Sequence, residues 1–278
     1  MRFVTSENNP TLKLIRRLRT RKGRDRTGCY LVEGPKLLWE ALNNRADIIH
    51  AVFCEEGEGE GALGQSLGEG FEAEGRGREA LARALGGAGA DVLATEPKLF
   101  GRLADAESPQ GVLAVVRKPE PASGGGDWLI LDRVQEPGNI GALMRTAAAA
   151  GFDAVITVKG SGDVYAPKAV RASAGAVFRM GARQAGDAAE AAEMARSGGR
   201  LIVAADPVGS RSIYETDLTG LLALVIGNEG GGLSPEFRRV GALMARIPMP
   251  GGTESLNAAA AAAVIMFEAV RQRGMGAE

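Results

Sequence analysis

LVIGNEGGGLSPEFRRVGALMARIPMPGGTESLN, residues 224–257, is the stretch that decides the fold. It opens as a short apolar strand (Leu224, Val225, Ile226), enters a glycine-rich turn (Gly227, Asn228, Glu229, Gly230, Gly231, Gly232), and returns through Ile247, Pro248 and Met249 to Glu254, Ser255, Leu256 and Asn257. Glycines take positive φ and leave amide N–H groups open, so such a turn just past a strand is where an α/β protein admits a ligand to its backbone. Asn228, Glu229, Ser255 and Asn257 bring amide, carboxylate and hydroxyl groups among apolar neighbours, where each needs a hydrogen-bond partner if buried. Two loops at strand ends thereby make one candidate site, a polar and selective pocket. The same residues also suit a plain tight turn followed by a helix N-cap at Ser255 or Asn257, and a glycine loop by itself is a weak signal.

Around this stretch, apolar strands at 128–131, 154–158, 201–205, 224–226 and 246–248 alternate with helices, the pattern of a parallel sheet covered by helices. Between the first two strands, Pro137-Gly138-Asn139 precedes a helical run with Ile140, Leu143, Ala147 and Ala150, closed by Gly151. Asn139 sits at the amino end of that helix. Arg145, six positions on, lies off its apolar stripe and reaches toward a site. Residues 167–173 add Lys168 and Arg171, and Asn257 begins an alanine-rich helix that ends near Arg273.

Upstream, Asn9-Pro10 starts a helix carrying Leu12, Ile15 and Leu18 at helical spacing. Residues 1–30 hold nine basic side chains, among them Arg16, Arg17, Arg19, Arg21 and Arg24, against the acidic Glu7 and Asp25. Clustered Arg and Lys are the footprint of a phosphate-backbone partner, although the whole chain balances 33 basic against 34 acidic residues. Strands at 30–33, 48–54, 92–94 and 111–116 and helices after Gly34-Pro35, over 78–85 and over 97–103 make a small α/β unit. Residues 55–74 carry seven glutamates, no basic residue and abundant glycine, which predicts a flexible acidic insertion over about 55–77. Two domains are expected, 1–118 and 127–278, joined by a Pro/Gly linker at 119–126.

Composition excludes several classes. Apolar and charged fractions of 45% and 24%, no run of about 18 apolar residues and no secretory core at the amino end predict a cytoplasmic globular protein. Cys29 and Cys54 form no C-x-x-C spacing, so no disulfide framework or cysteine-held metal is expected. His50, the single histidine, lies far in sequence from the glycine loop, which argues against Ser-His-Asp and Cys-His chemistry.

Three separated stretches resemble one family, the SpoU or TrmH-type RNA ribose 2′-O-methyltransferases of the SPOUT superfamily. LDRVQEPGNIGALMRTAAAAGF (131–152) is similar to its first motif, LVIGNEGGGLS (224–234) to its second and IPMPGGTESLNAAAAAAV (247–264) to its third, in the family's order. CYLVEGPKLLWEAL (29–42) resembles the start of the ribosomal-protein-like RNA-binding domain that many members carry; the acidic insertion departs from that pattern. The resemblance implies a trefoil-knotted parallel-sheet α/β domain and S-adenosylmethionine held largely by backbone of Gly227, Ile247 and Leu256. It also implies a homodimer that completes the site, and functional positions at Asn139, Arg145, Glu229, Ser255 and Asn257. Arg16, Arg17, Arg19, Arg21, Lys168 and Arg171 are then the RNA-binding candidates, with ribosomal RNA favoured over tRNA.

Family proposals let the arginine at the position of Arg145 take the proton of the 2′-hydroxyl. A guanidinium with a pKa above about 12 does so only if strongly perturbed, whereas a fork of donors gripping the neighbouring phosphate needs no such shift. Both roles stay open on the sequence. The rivals are a conventional Rossmann enzyme, whose glycine fingerprint follows the first strand rather than a late one, and a non-catalytic RNA-binding protein that has kept the fold.

Overall fold

The computed structural model describes residues 1–55, 77–121 and 125–274. Nearly all of the predicted acidic insertion, and residues 122–124 of the predicted linker, lie outside the described residues. The chain forms two compact units, Met1–Pro119 together with Tyr165–Arg171, and Glu120–Val164 together with Ala172–Glu278.

In the first unit the order is β1 (Arg2–Phe3), α1 (Pro10–Leu18), α2 (Arg21–Thr27), β2 (Cys29–Glu33), α3 (Pro35–Asn43), β3 (Ile48–Cys54), α4 (Arg78–Gly87), β4 (Asp91–Thr95), α5 (Pro97–Gly101) and β5 (Val112–Arg117). The five strands form one mixed sheet in the order β1-β4-β3-β5-β2. The Asn9 side chain caps α1 by accepting from the Thr11 N–H, Pro10 fills the first turn, and Leu12, Ile15 and Leu18 are fully buried against Val52, Leu93, Phe100 and Val115. The helix expected over 97–103 stops at Gly101. Sequence reasoning missed α2 because RKGRDRT has no apolar face; the residues it buries are Gly23 and Arg24. A Cβ on Gly23 would fall 1.9 Å from the Arg17 carbonyl oxygen, so α1 and α2 meet backbone to backbone.

The downstream elements are β6 (Trp128–Asp132), α6 (Pro137–Ala149), β7 (Ala154–Val158), α7 (Pro167–Ala172), β8 (Ala182–Ala185), α8 (Ala188–Ser197), β9 (Leu201–Ala205), β10 (Arg211–Ser212), β11 (Leu222–Gly227), α9 (Pro235–Arg239), β12 (Leu243–Arg246) and α10 (Ala258–Gln272). Seven strands make a sheet in the order β10-β12-β9-β11-β6-β7-β8, and every neighbouring pair is parallel. The strand expected at 246–248 is a correction: β12 ends at Arg246, in register with β9 from Leu243↔Val203 to Ala245↔Ala205, and Pro248 has no N–H to extend a ladder. β8 and β10 escaped the apolar-run reading because they are the sheet's edges, where one side need not be buried.

The register positions the site. Ile226 pairs with Leu131 and Gly227 with Asp132, so the glycine turn after β11 and the loop after β6 leave the sheet side by side. Parallel sheets take ligands at the carboxyl ends of their strands.

Candidate active site

The glycine turn closes on itself. Asn228 and Gly232 exchange N–H···O bonds of 3.0 and 2.9 Å, and the Asn228 side-chain oxygen accepts from the N–H groups of Gly230 and Gly231 at 3.0 and 2.7 Å. Within residues 227–232, positive φ falls on Gly232 (61°). A Cβ on Gly227 would stand 2.7 Å from the Gly232 carbonyl carbon and 2.9 Å from the Leu233 nitrogen. Glycine at 227 thus makes room for the turn that folds over it.

Beside this turn lies a cleft of about 640 Å³, reached by the carboxyl ends of β9, β11 and β12. Its lining includes Gly227, Ile247 and Leu256, the three residues expected to hold a cofactor, and also Glu229, Ser255 and Asn257. Ile226, Met249 and Ile265 add apolar wall. Asp206 and Arg238 were missed: Asp206 follows β9, is buried, accepts from the Val208 N–H at 3.0 Å and is ion-paired with Arg238 on α9. The strand-end rule applied to 201–205 would have found Asp206, while its partner lies 32 residues away and is visible only in the fold.

Asn139 does not line the cleft; it joins the residues that do. Its Nδ2 donates to Glu229 Oε1 at 3.0 Å, and its Oδ1 accepts from Asn257 Nδ2 at 3.1 Å. The Glu136 carboxylate caps α6 by accepting the Asn139 N–H at 2.6 Å. Asn257 Oδ1 accepts from Ala259 and Ala260 and so caps α10, which makes Asn257 both the predicted cap and a member of the cluster. Burial raises the Glu229 pKa, but the hydrogen bonds it accepts from Asn139 and from the N–H groups of Glu229, Gln135 and Glu136 outweigh that, leaving it below the usual carboxylate range. An ionised carboxylate at the amino end of a helix is also favoured by the helix dipole.

Arg145 stands apart. It is exposed on α6, about 9 Å along the helix axis from Asn139, and does not line the cleft. Of the RNA-binding candidates, Arg16 is paired with Glu7 at 3.1 Å and Arg21 lies 3.8 Å from Asp25. Arg17 and Arg19 are exposed, and Arg19 donates to the Arg102 carbonyl. Lys168 and Arg171 belong with the first unit, where Arg171 pairs with Asp105 at 3.0 Å. Arg24 is a correction to the basic cluster: it is 4% exposed and donates to the Leu18 carbonyl at 2.7 Å, so its charge is spent inside the unit.

A parallel sheet with a glycine-turn cleft at its strand ends is the architecture of a cofactor-dependent α/β enzyme. Residues 128–267 match the model of the SpoU rRNA Methylase family, and residues 9–114 match the MRM3-like substrate binding domain. The chain belongs to the SpoU rRNA methylase family. A 23S rRNA (uridine(2479)-2′-O)-methyltransferase of Streptomyces viridochromogenes is 37% identical over 67% of this chain and 69% of its own. A 23S rRNA (guanosine(2553)-2′-O)-methyltransferase of Bacillus subtilis is 28% identical over 96% of this chain and 98% of its own. The solved AdoMet-bound rRNA methyltransferase from Sinorhizobium meliloti has a TM-score of 0.78 at 30% identity, covering 97% of both chains.

Proposed function

We infer that this protein is an S-adenosylmethionine-dependent methyltransferase acting on a ribose 2′-hydroxyl of RNA, with ribosomal RNA as the substrate. The observation that carries this reading is the hydrogen-bonded set Glu229–Asn139–Asn257 gathered at a cleft lined by Gly227, Ile247 and Leu256. The cleft suits the cofactor in size, since small-molecule sites span about 300–1,000 Å³. Its apolar wall suits a nucleobase, and its carboxylates, Asp206, Glu229 and Glu254, suit a group bearing sulfonium and ammonium charge. S-adenosylmethionine bound there supplies the methyl group.

The chain's own residues supply position. In-line attack is accelerated mainly by holding oxygen and methyl aligned about 3–3.5 Å apart. Glu229, ionised at the amino end of α6, fixes the Asn139 amide, and Asn139 in turn orients Asn257. Ser255, exposed at the cleft, is assigned to the ribose. Arg145 is assigned to the phosphate beside that ribose and to the charge developing on its oxygen, a role for a fixed fork of donors that stays protonated.

The proposed division of labour gives RNA capture to residues 1–118 and chemistry to 127–278, with Arg16, Arg17, Arg19, Arg21, Lys168 and Arg171 as RNA contacts. Pairing of two copies through the chemistry domain is part of the proposal. Its support is an apolar stripe on α10, where Ala260, Val264 and Phe267 follow at helical spacing and Phe267 is 49% exposed. A trefoil knot in this domain and a cytoplasmic site of action, where ribosomal RNA is met, complete the reading.

The test is transfer of tritiated methyl from S-adenosylmethionine to purified ribosomal RNA and tRNA, followed by mapping of the modified ribose. Label in a 2′-O-methyl nucleotide of ribosomal RNA is expected. Label confined to tRNA would move the substrate, and label on a base would remove the ribose assignment.

A further inference from the structure

Arg133 has a conformation that its side chain ordinarily resists. It sits just past β6 at φ 60°, in the left-handed region that costs glycine nothing and other residues steric strain. Its polar groups hold three loops at once. The backbone N–H donates to Ser161 Oγ at 3.0 Å, in the loop after β7, and the carbonyl accepts from Asn228 Nδ2 at 2.9 Å, in the glycine turn. The guanidinium donates through Nε to Asp132 at 3.1 Å and through Nη2 to the Gly232 carbonyl at 3.3 Å. Asp132, fully buried, also accepts from the N–H and hydroxyl of Ser234, where the chain leaves the glycine turn. The aliphatic part of Arg133 passes over Gly160, where a Cβ would meet its Cγ at 3.3 Å.

Glycine would satisfy the φ at this position and preserve both backbone bonds, so what arginine adds is the guanidinium that reaches the far end of the turn. We propose that Arg133 is a positioning residue for cofactor binding: it braces the glycine turn through Asn228 and Gly232 and so presets the wall of the cleft formed by Gly227, Asn228, Gly231 and Gly232. Arg133 does not itself line the cleft; it acts through the turn. A loop held in its binding shape before the ligand arrives loses less freedom on binding, which appears as tighter affinity. The proposal rests on the assignment of this cleft to S-adenosylmethionine.

Arg133→Gly relieves the backbone at φ 60° and removes the brace. Its melting temperature should fall modestly, because the fully buried Asp132 loses its guanidinium partner while the strain at φ 60° is relieved, and its dissociation constant for S-adenosylmethionine, measured by calorimetry well below both melting temperatures, should rise about tenfold. Amide hydrogen exchange at Gly230 and Gly231 should speed up in the free protein. Arg133→Lys keeps a cation without the fork and should fall between the two. Affinity within twofold of the parent together with unchanged exchange at those amides would overturn the proposal, as would a loss of affinity that only tracks a fall in melting temperature. If the parent itself binds no S-adenosylmethionine, the cofactor assignment fails, and the exchange rates still decide whether Arg133 braces the turn.

Discussion

Replacing Asn139 by Asp changes one atom type at the centre of the cluster and reverses its logic. Asn139 Nδ2 lies 3.0 Å from Glu229 Oε1, so the substitution sets a second carboxylate against the first and deletes a donor to a charged acceptor. Two unit charges about 3 Å apart repel by about 1.4 kcal/mol in a water-like dielectric and about twice that at half the dielectric constant. Because Glu229 is exposed, screening keeps the estimate near this lower end, and a total of about 2–3 kcal/mol follows once a discounted hydrogen bond is included. If that energy is needed to reach the transition state, kcat/KM falls by about 30- to 150-fold. The pH dependence has a definite sign. In the parent, Glu229 is held below the usual carboxylate range and stays ionised at neutral pH. In Asn139→Asp each carboxylate raises the pKa of the other, and once one is protonated its O–H restores the missing donor. The defect should therefore be largest at high pH and shrink as pH falls, whereas Asn139→Ala, with no added charge, should show a defect that does not change with pH. Tritiated methyl transfer normalised to the parent between pH 5.5 and pH 8.5, on a scale of about 1.4 kcal/mol per tenfold in rate, measures both. A defect under threefold in a folded variant, or one indifferent to pH, would refute the reasoning.

Arg145→Ala should lose at least about a hundredfold in methyl transfer while S-adenosylmethionine affinity, read by calorimetry, stays within a few fold, because Arg145 lies outside the cleft lining. Joint replacement of Arg16, Arg17, Arg19 and Arg21 by Ser should flatten the slope of log RNA affinity against log salt by about 3–4 if each meets a phosphate. Unchanged affinity and slope would make that cluster a solvated face. Glu268, whose hydrogen bond from Arg271 lowers its pKa to about 2, stabilises the fold fully above the unfolded carboxylate value near 4.5 and loses that contribution as pH falls toward 2. Denaturant melts of Glu268→Gln should show a shallower loss of stability over that acid window than the parent.

What could be read from the sequence follows where local chemistry alone decides. The strands at 154–158 and 201–205 were legible to the residue because parallel strands covered on both faces read as near-continuous apolar runs, broken here at Thr157. Asn9-Pro10 marked the start of α1 because cap and first turn are fixed by neighbouring residues. β8 and β10 were not legible, since an edge strand gains its place from a neighbour's register and not from its own pattern. The same division runs through the candidate site. Gly227, Glu229, Ser255 and Asn257 stand in loops whose glycines and polar residues announce themselves. Arg133, Asp206 and Arg238 owe their places to partners between 28 and 99 residues away, which no local pattern encodes.

Asn257 explains why the two sequence readings of this region were never true alternatives. A capping asparagine spends its amide oxygen on the first turn of its helix and leaves its NH₂ free to donate elsewhere. Asn257 spends that donor on Asn139, whose backbone N–H is itself held by the cap of α6. The amino ends of α6 and α10 are thus tied together by side chains that the helices already orient. Glu229 accepts from N–H groups at the amino end of α6, where the helix dipole also favours a negative charge, which is why partial desolvation fails to keep it protonated. The cluster is rigid because it is assembled from helix starts and a closed turn, and its charge is set by the same N–H groups that begin α6.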